Sequence, residues 1–332
     1  MILVLGVDGL DFNLCNRYEL EFAKSGYFAD YKSKYWSTVP SWTSIYTGMT
    51  REEHGCPPGW HDWLYNQVKT VRPEGVPEQE LPVIYEKPYR ELPFVWNLLN
   101  HQGKTTGVFK MPLTFPAHRV QGWMVSGFPA VNNRRGIYPV DAMLQLQDYS
   151  PGILQRLEKN FITNFKKVDG LIDRGHSIDA MMTVKHIQSA LNNLTRLLLW
   201  QRPDVLFVGF SFLDHIGHMG MRKESIQLAV YKLVDWAINE TLALVNADAT
   251  IIVSDHGGVV RTLETFNESR TIERPPYVCF PETSGPQPVG KGFGPWEHTE
   301  DGVFWMTEKP DSGLLHEYDV TRHILRLAKQ FT

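Results

Sequence analysis

Short, continuous runs of apolar residues recur along the chain, and most of them are followed at once by polar residues. The first run is Ile2–Val7, which ends at Asp8-Gly9. A run of this length before a turn is typical of a strand buried on both faces of a parallel sheet. The same pattern predicts further strands at Thr105–Phe109, Trp123–Phe128, Asp204–Phe210, Ala249–Ser254 and Val303–Met306.

Between these runs, apolar residues recur at the three- and four-residue spacing of amphipathic helices. This spacing predicts helices at Ser41–Gly48, Phe94–His101, Ser177–Gln201, Glu224–Val245 and Tyr318–Lys329. Strands that alternate with helices favour a mostly parallel sheet covered on both faces. The predicted fold class is therefore α/β, a three-layer α/β/α sandwich with a mostly parallel central sheet.

Two segments interrupt this alternation. Gly55–Leu92 is rich in Pro, Gly, Glu and aromatic residues, and Thr262–Trp296 contains six prolines and four glycines. Loops of this length inside a compact domain commonly form lids or pocket walls. Because no repeat, low-complexity tract or linker divides the chain, we predict one domain over residues 1–332, with loop insertions at about 55–92 and 262–296.

Composition and charge exclude several classes of protein. The chain has 332 residues, and 33 Lys and Arg against 37 Asp and Glu give a net charge of −4, so general nucleic-acid binding is not expected. The three cysteines, Cys15, Cys56 and Cys279, are too far apart for a disulfide framework or a cysteine zinc site. Without a membrane span or a signal-like N-terminus, we expect a cytoplasmic protein that does not bind membranes. The sequence leaves the oligomeric state open.

Aspartates and histidines lie at the predicted strand ends, where parallel sheets bind their ligands. These residues are Asp8, Asp214, His218, Asp255 and His256, and His298 joins them from a loop just before the last predicted strand. Zinc binds histidine nitrogen and carboxylate oxygen, and six such ligands are too many for one ion but suit two. Two metals about 4 Å apart suit phosphoryl transfer, because they stabilise both the attacking and the leaving oxygen.

Each of these residues also has a structural interpretation. Asp8 alone is compatible with a helix cap, and Asp255-His256 alone with a turn. Asp214 and His218, four residues apart, are alone compatible with an ordinary surface pair. The combination in one alternating topology is what favours a metal centre.

Thr38 is the candidate nucleophile, just ahead of the predicted helix Ser41–Gly48. Pro40 suits the first turn of a helix, so Thr38 would face free N–H groups and the positive end of the helix dipole, where phosphate can bind. A hydroxyl bound to a divalent cation loses its proton more easily and becomes a competent nucleophile. Alternatively, Thr38 or Ser37 serves only as a helix cap.

Together these motifs resemble the alkaline phosphatase superfamily. Within it, the chain is similar to the type I phosphodiesterase/nucleotide pyrophosphatase branch and, more closely, to predicted phosphohydrolase/phosphomutase proteins. The resemblance covers nearly the whole chain, in the correct order. The segments that carry it are Val7-Asp8-Gly9-Leu10, Thr38-Val-Pro-Ser-Trp-Thr-Ser-Ile-Tyr-Thr-Gly48 with His54-Gly55, Phe109-Lys-Met-Pro-Leu-Thr-Phe-Pro116, Met124-Val-Ser-Gly-Phe128, Leu206-Phe-Val208 with Asp214-His-Ile-Gly-His218, Val253-Ser-Asp-His-Gly257 and His298-Thr-Glu-Asp-Gly-Val-Phe304.

The resemblance implies an alkaline phosphatase-like fold and two divalent metal ions, with zinc expected and manganese compatible with the same ligands. It implies one zinc ion on Asp214, His218 and His298, and the other on Asp8, Asp255 and His256. Thr38 is then the nucleophile and also bridges to the metals.

The implied activity is that of a phosphodiesterase or nucleotide pyrophosphatase that works through a covalent phospho-threonine intermediate. Its partner would be a small-molecule phosphate ester, with a nucleotide as one candidate. Two alternatives remain open. One is a phosphomonoesterase or phosphomutase of the same fold, and the other is a catalytically inactive homologue that binds metal or phosphate.

The sequence departs from the family pattern at Gly59, where nucleotide pyrophosphatases have a phosphate-binding asparagine. Asn66, Trp60 or His61 are candidate replacements, and Arg51 and Lys110 are available cations. Thr38-Val-Pro-Ser-Trp lacks the Cys/Ser-x-Pro-x-Arg motif of sulfatases, which disfavours sulfatase activity. Aromatic residues of the two long segments could stack on a base or sugar, although packing of the loops is favoured. They are Trp60, Trp63, Tyr65, Tyr85, Tyr89, Tyr277 and Trp296.

Overall fold

The structure is a computed structural model that describes residues 1–56, 89–128, 130, 134–146, 178–221, 224–260, 296–310 and 316–331. The predicted insertions at about 55–92 and 262–296 lie almost entirely outside these residues. So do Gly59, its candidate replacements and most of the aromatic residues of the two insertions.

The strands of the described chain form one large sheet and one small sheet. Their bounds are β1 (Ile2–Val7), β2 (Tyr27–Lys32), β3 (Thr106–Phe109), β4 (Gly122–Val125), β5 (Ile137–Tyr138), β6 (Val205–Phe210), β7 (Ala249–Val253), β8 (Gly257–Val260), β9 (Trp296–Thr299) and β10 (Asp301–Met306). The large sheet has the order β2-β10-β7-β1-β6-β3-β4-β5, and β8 pairs with β9. Strands β7, β1, β6, β3 and β4 are parallel, whereas β10, β2 and β5 pair antiparallel at the two sides.

Helices lie between these strands. They are α1 (Phe12–Arg17), α2 (Thr38–Thr47), α3 (Arg51–His54), α4 (Val95–His101), α5 (Ile178–Trp200), α6 (Phe212–Gly220), α7 (Glu224–Val245) and α8 (Asp319–Gln330). Within the part of the chain that the structure describes, no helix is both long enough and apolar enough to span a membrane.

The core is divided by the large sheet into two layers. Because successive side chains of a strand point to opposite faces, Leu3 and Leu5 of β1 pack with residues of α5 and α7, such as Leu194. Ile2 and Val4 belong to the other layer, which contains residues of α2, α4 and α8. This arrangement confirms the predicted three-layer α/β/α fold with a mostly parallel central sheet.

The predicted strands and long helices are present, with shifts of a few residues at their ends. The largest shift relevant to function is in α2, which begins at Thr38 and not at Ser41. Pro40 is then the third residue of the helix, where no intrahelical bond needs its missing N–H. The elements that the sequence pattern did not predict are α1, α3, α6, β2, β5, β8 and β9.

Candidate metal centre

Three neighbouring parallel strands bring most of the predicted site together. Strands β7, β1 and β6 are adjacent in the sheet, so their carboxyl ends meet at one edge. Asp8 directly follows β1, and Asp255-His256 follows β7 after the single residue Ser254. Asp214 and His218 lie on α6, which begins two residues after the end of β6. Residues that are far apart in sequence therefore converge at the centre of the sheet.

His298 reaches the site by a different route. It lies in β9, where it pairs with Gly258 of β8. Since β8 begins immediately after His256, the pairing returns His298 to the end of β7. The sequence placed His298 in a loop before the last strand and did not predict this small sheet.

Asp214, His218 and His298 form the first candidate metal group. Asp214 Oδ1 lies 3.3 Å from His218 Nε2 and 3.2 Å from His298 Nε2. The two Nε2 atoms are 2.9 Å apart. These three potential ligand atoms are therefore close enough together to bind one ion.

The second group lies beside the first and shares Asp214 with it. The ligand atoms of Asp8, Asp214 and His256 all lie within 4.8 Å of one another. His256 Nε2 is 3.6 Å from Asp8 Oδ1 and 3.2 Å from Asp255 Oδ2. The rings of His256 and His298 stack with centroids 3.7 Å apart, so the two groups form one continuous cluster.

Thr38 borders this cluster. Its Oγ1 lies 3.5 Å from His256 Nε2, and its main chain forms the first residue of α2. Ser37, not Thr38, is in the N-cap position, and its side chain makes no capping hydrogen bond. The hydroxyl of Thr38 is thus directed at the acidic and histidine residues and is not the cap of α2.

The structural alternatives for two of the aspartates are also tested by the geometry. Asp11 caps α1 by accepting a hydrogen bond from the N–H of Leu14 at 3.0 Å, so Asp8 is not that cap. Asp214 is only 5% exposed, which is incompatible with an ordinary surface pair.

Two buried carboxylate oxygens in the cluster have no hydrogen-bond partner among the described residues. They are Asp8 Oδ1 and Asp255 Oδ2. A buried polar oxygen without a partner is costly, and a buried charge more so unless it is paired or binds a metal. Carboxylate oxygens and imidazole nitrogens are also ligands that zinc accepts. The residues present therefore fit divalent cations.

The acidic groups repel one another. Burial, together with the charges of Asp255 and Asp214, raises the pKa of Asp8 well above its usual range. Burial and the charge of Asp214 raise the pKa of Asp255 to about 8. Without added positive charge, these carboxyl groups cannot all ionise near neutral pH.

The pKa of Asp214 shifts in the opposite direction, and the pKa values of His298 and His256 also depart from their usual values. Burial acts to raise the pKa of Asp214. The neighbouring His218 and His298 outweigh this effect and lower the pKa well below its usual range. Burial would lower the pKa of His298, but Asp214 raises it overall. Burial and the charge of His298 lower the pKa of His256 to about 3. Neutral His256 can therefore present a nitrogen lone pair.

Backbone carbonyls orient two of the histidine rings. His298 Nδ1 lies 2.8 Å from the carbonyl oxygen of Trp36, and His256 Nδ1 lies 2.9 Å from that of Gly257. A carbonyl only accepts, so each Nδ1 carries the hydrogen and Nε2 faces the cluster. This is the arrangement that metal-binding histidines commonly use.

Two tryptophans orient carboxylates, a role that the sequence pattern did not predict for either residue. Trp296 Nε1 donates to Asp214 Oδ1 at 3.0 Å, and Trp42 Nε1 donates to Asp8 Oδ2 at 3.4 Å. The Trp42 ring can lie close to the backbone of β1 because Gly6 has no side chain. A Cβ there would lie 2.6 Å from the indole. Trp296 and Tyr89 are both only 6% exposed. These two aromatic side chains therefore pack into the domain, which is the interpretation that the sequence favoured over stacking on a substrate.

The fold is shared with enzymes of known structure. The murine ectonucleotide pyrophosphatase/phosphodiesterase 5 matches with a TM-score of 0.55 and 12% identity, over 99% of this chain and 95% of that one. Phosphonoacetate hydrolase from Sinorhizobium meliloti 1021 matches with a TM-score of 0.54 and 12% identity, over 98% and 95% of the two chains. A mutant of the alkaline phosphatase PafA matches with a TM-score of 0.51 and 15% identity, over 98% and 95%. The chain therefore has an alkaline phosphatase-like fold.

The family follows from the sequence itself. The family model described as type I phosphodiesterase / nucleotide pyrophosphatase matches residues 2–265, most of the 332-residue chain. The chain belongs to this family, which confirms the resemblance and the predicted class of phosphohydrolase. A search of curated proteins finds no sequence that matches.

Proposed function

We propose that this chain is a two-metal-dependent phosphodiesterase that cleaves small phosphodiesters or nucleotide pyrophosphates, with Thr38 as nucleophile. The observation that carries the proposal is the cluster of Asp and His ligand atoms beside the Thr38 hydroxyl, which lies 3.5 Å from His256 Nε2. The two unpartnered buried carboxylate oxygens support the same conclusion.

Six side chains would hold the metals. Asp214, His218 and His298 suit one ion, and Asp8 and His256 suit the other together with Asp214. Asp255, whose Oδ2 lies 3.2 Å from His256 Nε2, would complete the second set. The mixture of carboxylate and imidazole suits zinc, and manganese accepts the same ligands. When bound, divalent ions supply positive charge that neutralises phosphate oxygens and favours ionisation of a coordinated hydroxyl.

In the proposed reaction, Thr38 attacks phosphorus. As its Oγ1 loses a proton and forms a bond to phosphorus, the bond from phosphorus to the leaving oxygen breaks, and the leaving oxygen takes up a proton. Water then attacks the phospho-threonine, which releases the phosphate product and restores the hydroxyl. The position of Thr38 at the start of α2 adds the positive end of a helix dipole, which favours the negative charge of the bound group.

Two enzymes with this fold have been solved with a small phosphate ester or a small phosphonate. The murine enzyme named above has been solved as an inactive threonine-to-alanine variant in complex with AMP. The Sinorhizobium meliloti hydrolase has been solved with phosphonoformate. We infer that the substrate is a small phosphate ester, with nucleotides the first compounds to test.

The proposal is tested by comparing rates on bis-p-nitrophenyl phosphate and p-nitrophenyl phosphate, with added Zn²⁺ or Mn²⁺. We expect faster cleavage of the diester and no turnover by Thr38→Ala. Thr195→Ala on α5 is the matched control, because Thr195 is also half-buried and has no place in the cluster. Preference for the monoester would favour a phosphomonoesterase, and full activity of Thr38→Ala would refute the nucleophile.

A further inference from the structure

A buried network of hydrogen bonds lies beside the metal centre, and the proposed reaction uses none of its side chains. Asp11 is at its middle, only 1% exposed and three residues after Asp8. Asp11 Oδ2 accepts from the hydroxyl of Thr299 at 2.6 Å, and the Asp11 N–H donates to the Tyr231 hydroxyl at 3.2 Å. The Tyr231 hydroxyl itself donates to the carbonyl oxygen of Gly258 at 3.1 Å. The network thus joins the turn after β1 to α7 and to the sheet of β8 and β9.

These hydrogen bonds reach the backbone next to His298. Thr299 directly follows His298 in β9, and Gly258 pairs with His298 across the small sheet. Because successive side chains of a strand point to opposite faces, Thr299 holds β9 from the face opposite to the His298 ring. The network therefore fixes both strands at the position where His298 leaves the sheet.

Gly257 gives the contact between Asp11 and Thr299 the space that it needs. Gly257 directly follows His256 and pairs with Thr299. A Cβ at this position would lie 2.2 Å from Thr299 Oγ1 and 2.5 Å from Asp11 Oδ2. The hydrogen bond between the two side chains is therefore compatible only with a residue that has no side chain here.

Capping of α1 does not explain why residue 11 is an aspartate. Asp11 Oδ1 accepts from the N–H of Leu14, and asparagine or serine would cap the helix equally well. The second oxygen distinguishes aspartate, because the amide nitrogen of asparagine cannot accept a hydrogen bond from Thr299. Since a buried carboxylate is costly unless its oxygens are hydrogen-bonded, the bond from Thr299 also satisfies Asp11.

We propose that Asp11 is a positioning residue for the metal centre and acts through Thr299 and Tyr231. Their hydrogen bonds hold the sheet of β8 and β9 against the turn after β1, so that His298 Nε2 stays 3.2 Å from Asp214 Oδ1. The ion of the group that contains His298 depends on this network. The inference rests on the proposed function, because it assigns how that metal centre is held together.

The test removes single hydroxyl groups from the full chain. Thr299→Val removes the donor to Asp11 and preserves a branched strand residue, whereas Thr299→Ser keeps the hydroxyl. Tyr231→Phe is the second variant, because it removes the other hydroxyl and keeps the buried ring. Thr195→Val on α5 is the matched control, since Thr195 is also half-buried and donates to the carbonyl oxygen of Leu191 at 2.8 Å.

Three measurements compare these proteins with wild type. A competition titration with a zinc-binding dye gives the zinc affinities, and urea unfolding of the metal-free proteins gives their stability. The absorption spectrum with Co²⁺ in place of zinc reports the geometry of the ligands. A role in stability alone would change only the unfolding curves.

We expect Thr299→Val to weaken the binding of one zinc ion about 10-fold and to change the Co²⁺ spectrum. Tyr231→Phe should act in the same direction, whereas Thr299→Ser and Thr195→Val should bind zinc as wild type does. Equal zinc affinity in Thr299→Val and wild type would overturn the inference. So would equal weakening by Thr299→Ser or by Thr195→Val, because the hydroxyl of Thr299 would then not be the cause. If wild type itself binds no zinc, the proposed function fails, and the inference with it.

Discussion

At the residue scale, the site depends on groups that do not themselves bind metal. The indole of Trp296 donates to Asp214, the indole of Trp42 donates to Asp8, and the carbonyl of Trp36 orients His298. Partners of this kind fix the direction of a ligand atom, and their loss commonly weakens metal binding 10–100-fold.

Trp296→Phe tests this role. Phenylalanine preserves most of the buried packing but cannot donate a hydrogen bond to Asp214 Oδ1. We expect zinc affinity to fall about 10-fold with little loss of secondary structure. A competition titration with a zinc-binding dye measures the change. The matched control is Trp305→Phe, since Trp305 is also buried and donates its N–H to the carbonyl of Ser25. Equal zinc affinity in wild type and Trp296→Phe would contradict the role.

The candidate ligands could be predicted from the sequence, whereas their hydrogen-bond partners could not. Asp8 and Asp255 follow apolar runs directly, and the order of strands in an α/β sheet brings such positions together. The sequence pattern indicated packing or stacking for Trp296 and did not indicate that Trp42 or Trp296 donates a hydrogen bond to a carboxylate. Whether an indole N–H meets a carboxylate depends on packing between distant elements, such as the close approach of Trp42 to Gly6. A single sequence carries no local signal for that contact.

At the element scale, the small sheet of β8 and β9 determines where His298 lies. Gly258 of β8 and Gly217 of α6 both lie against the Trp296 ring. A Cβ would be 2.1 Å from the ring at Gly258 and 2.3 Å at Gly217. The sequence did not predict β8 or β9, because each is short and their pairing joins residues distant in sequence. The position of His298 could therefore not be derived from the hydrophobic pattern.

Gly258→Ala tests the importance of this close packing. The added methyl group should displace Trp296 and β9, and with it His298. We expect a loss of about 2 kcal/mol in stability and weaker zinc binding. Urea unfolding and zinc titration measure the two effects. Val259→Ala is the control in the same strand, because neighbouring side chains point to opposite faces. Normal zinc binding by a destabilised Gly258→Ala would show that His298 does not depend on this contact.

His54 links α2 to α3 and gives a prediction about pH. Its Nδ1 accepts from the N–H of Cys56 at 3.0 Å, so its Nε2–H donates to Ser44 Oγ at 3.2 Å. Burial lowers the pKa of His54 to about 4, from an ordinary value of 6.5. The unfolded chain therefore takes up this proton first as the pH falls.

The stability contributed by neutral His54 should be complete above about pH 6.5 and lost as the pH falls toward 4. The loss is about 3 kcal/mol. Urea unfolding at several pH values measures it. His54→Asn can still accept from the Cys56 N–H but does not titrate, so its stability should depend less on pH in this window. Equal pH dependence of wild type and His54→Asn would show that other groups cause the change.

At the scale of the whole molecule, the metal centre joins the middle of the sheet to elements on both of its faces. The candidate ligands come from the ends of β1 and β7, from α6 and from β9, and Thr38 comes from α2. The fold class and the positions of β1, β7 and most of α2 were predictable, because alternating strands and helices permit few topologies, whereas α6 and β9 were not predicted. Because the site ties them together, metal binding should stabilise the whole chain.

Zinc should therefore raise the unfolding temperature of the full chain, and a chelator should lower it. Free zinc at 100 times its dissociation constant would contribute about 2.7 kcal/mol. Calorimetric scans with zinc and with chelator measure the shift, and elemental analysis should find about two ions per chain. Asp8→Asn with His218→Ala removes a ligand from each group and should abolish the shift. Stabilisation that survives this double change would place the zinc elsewhere.

The central claim is that Thr38 becomes covalently bound to phosphorus during turnover. The most direct measurement is peptide mapping by mass spectrometry after acid quenching of the zinc-loaded enzyme during turnover of bis-p-nitrophenyl phosphate. We predict a p-nitrophenyl phosphoryl group on the peptide that contains Thr38, and none on the same peptide of Thr38→Ala. Rapid turnover in which Thr38 is never modified, together with an active Thr38→Ala variant, would contradict the account.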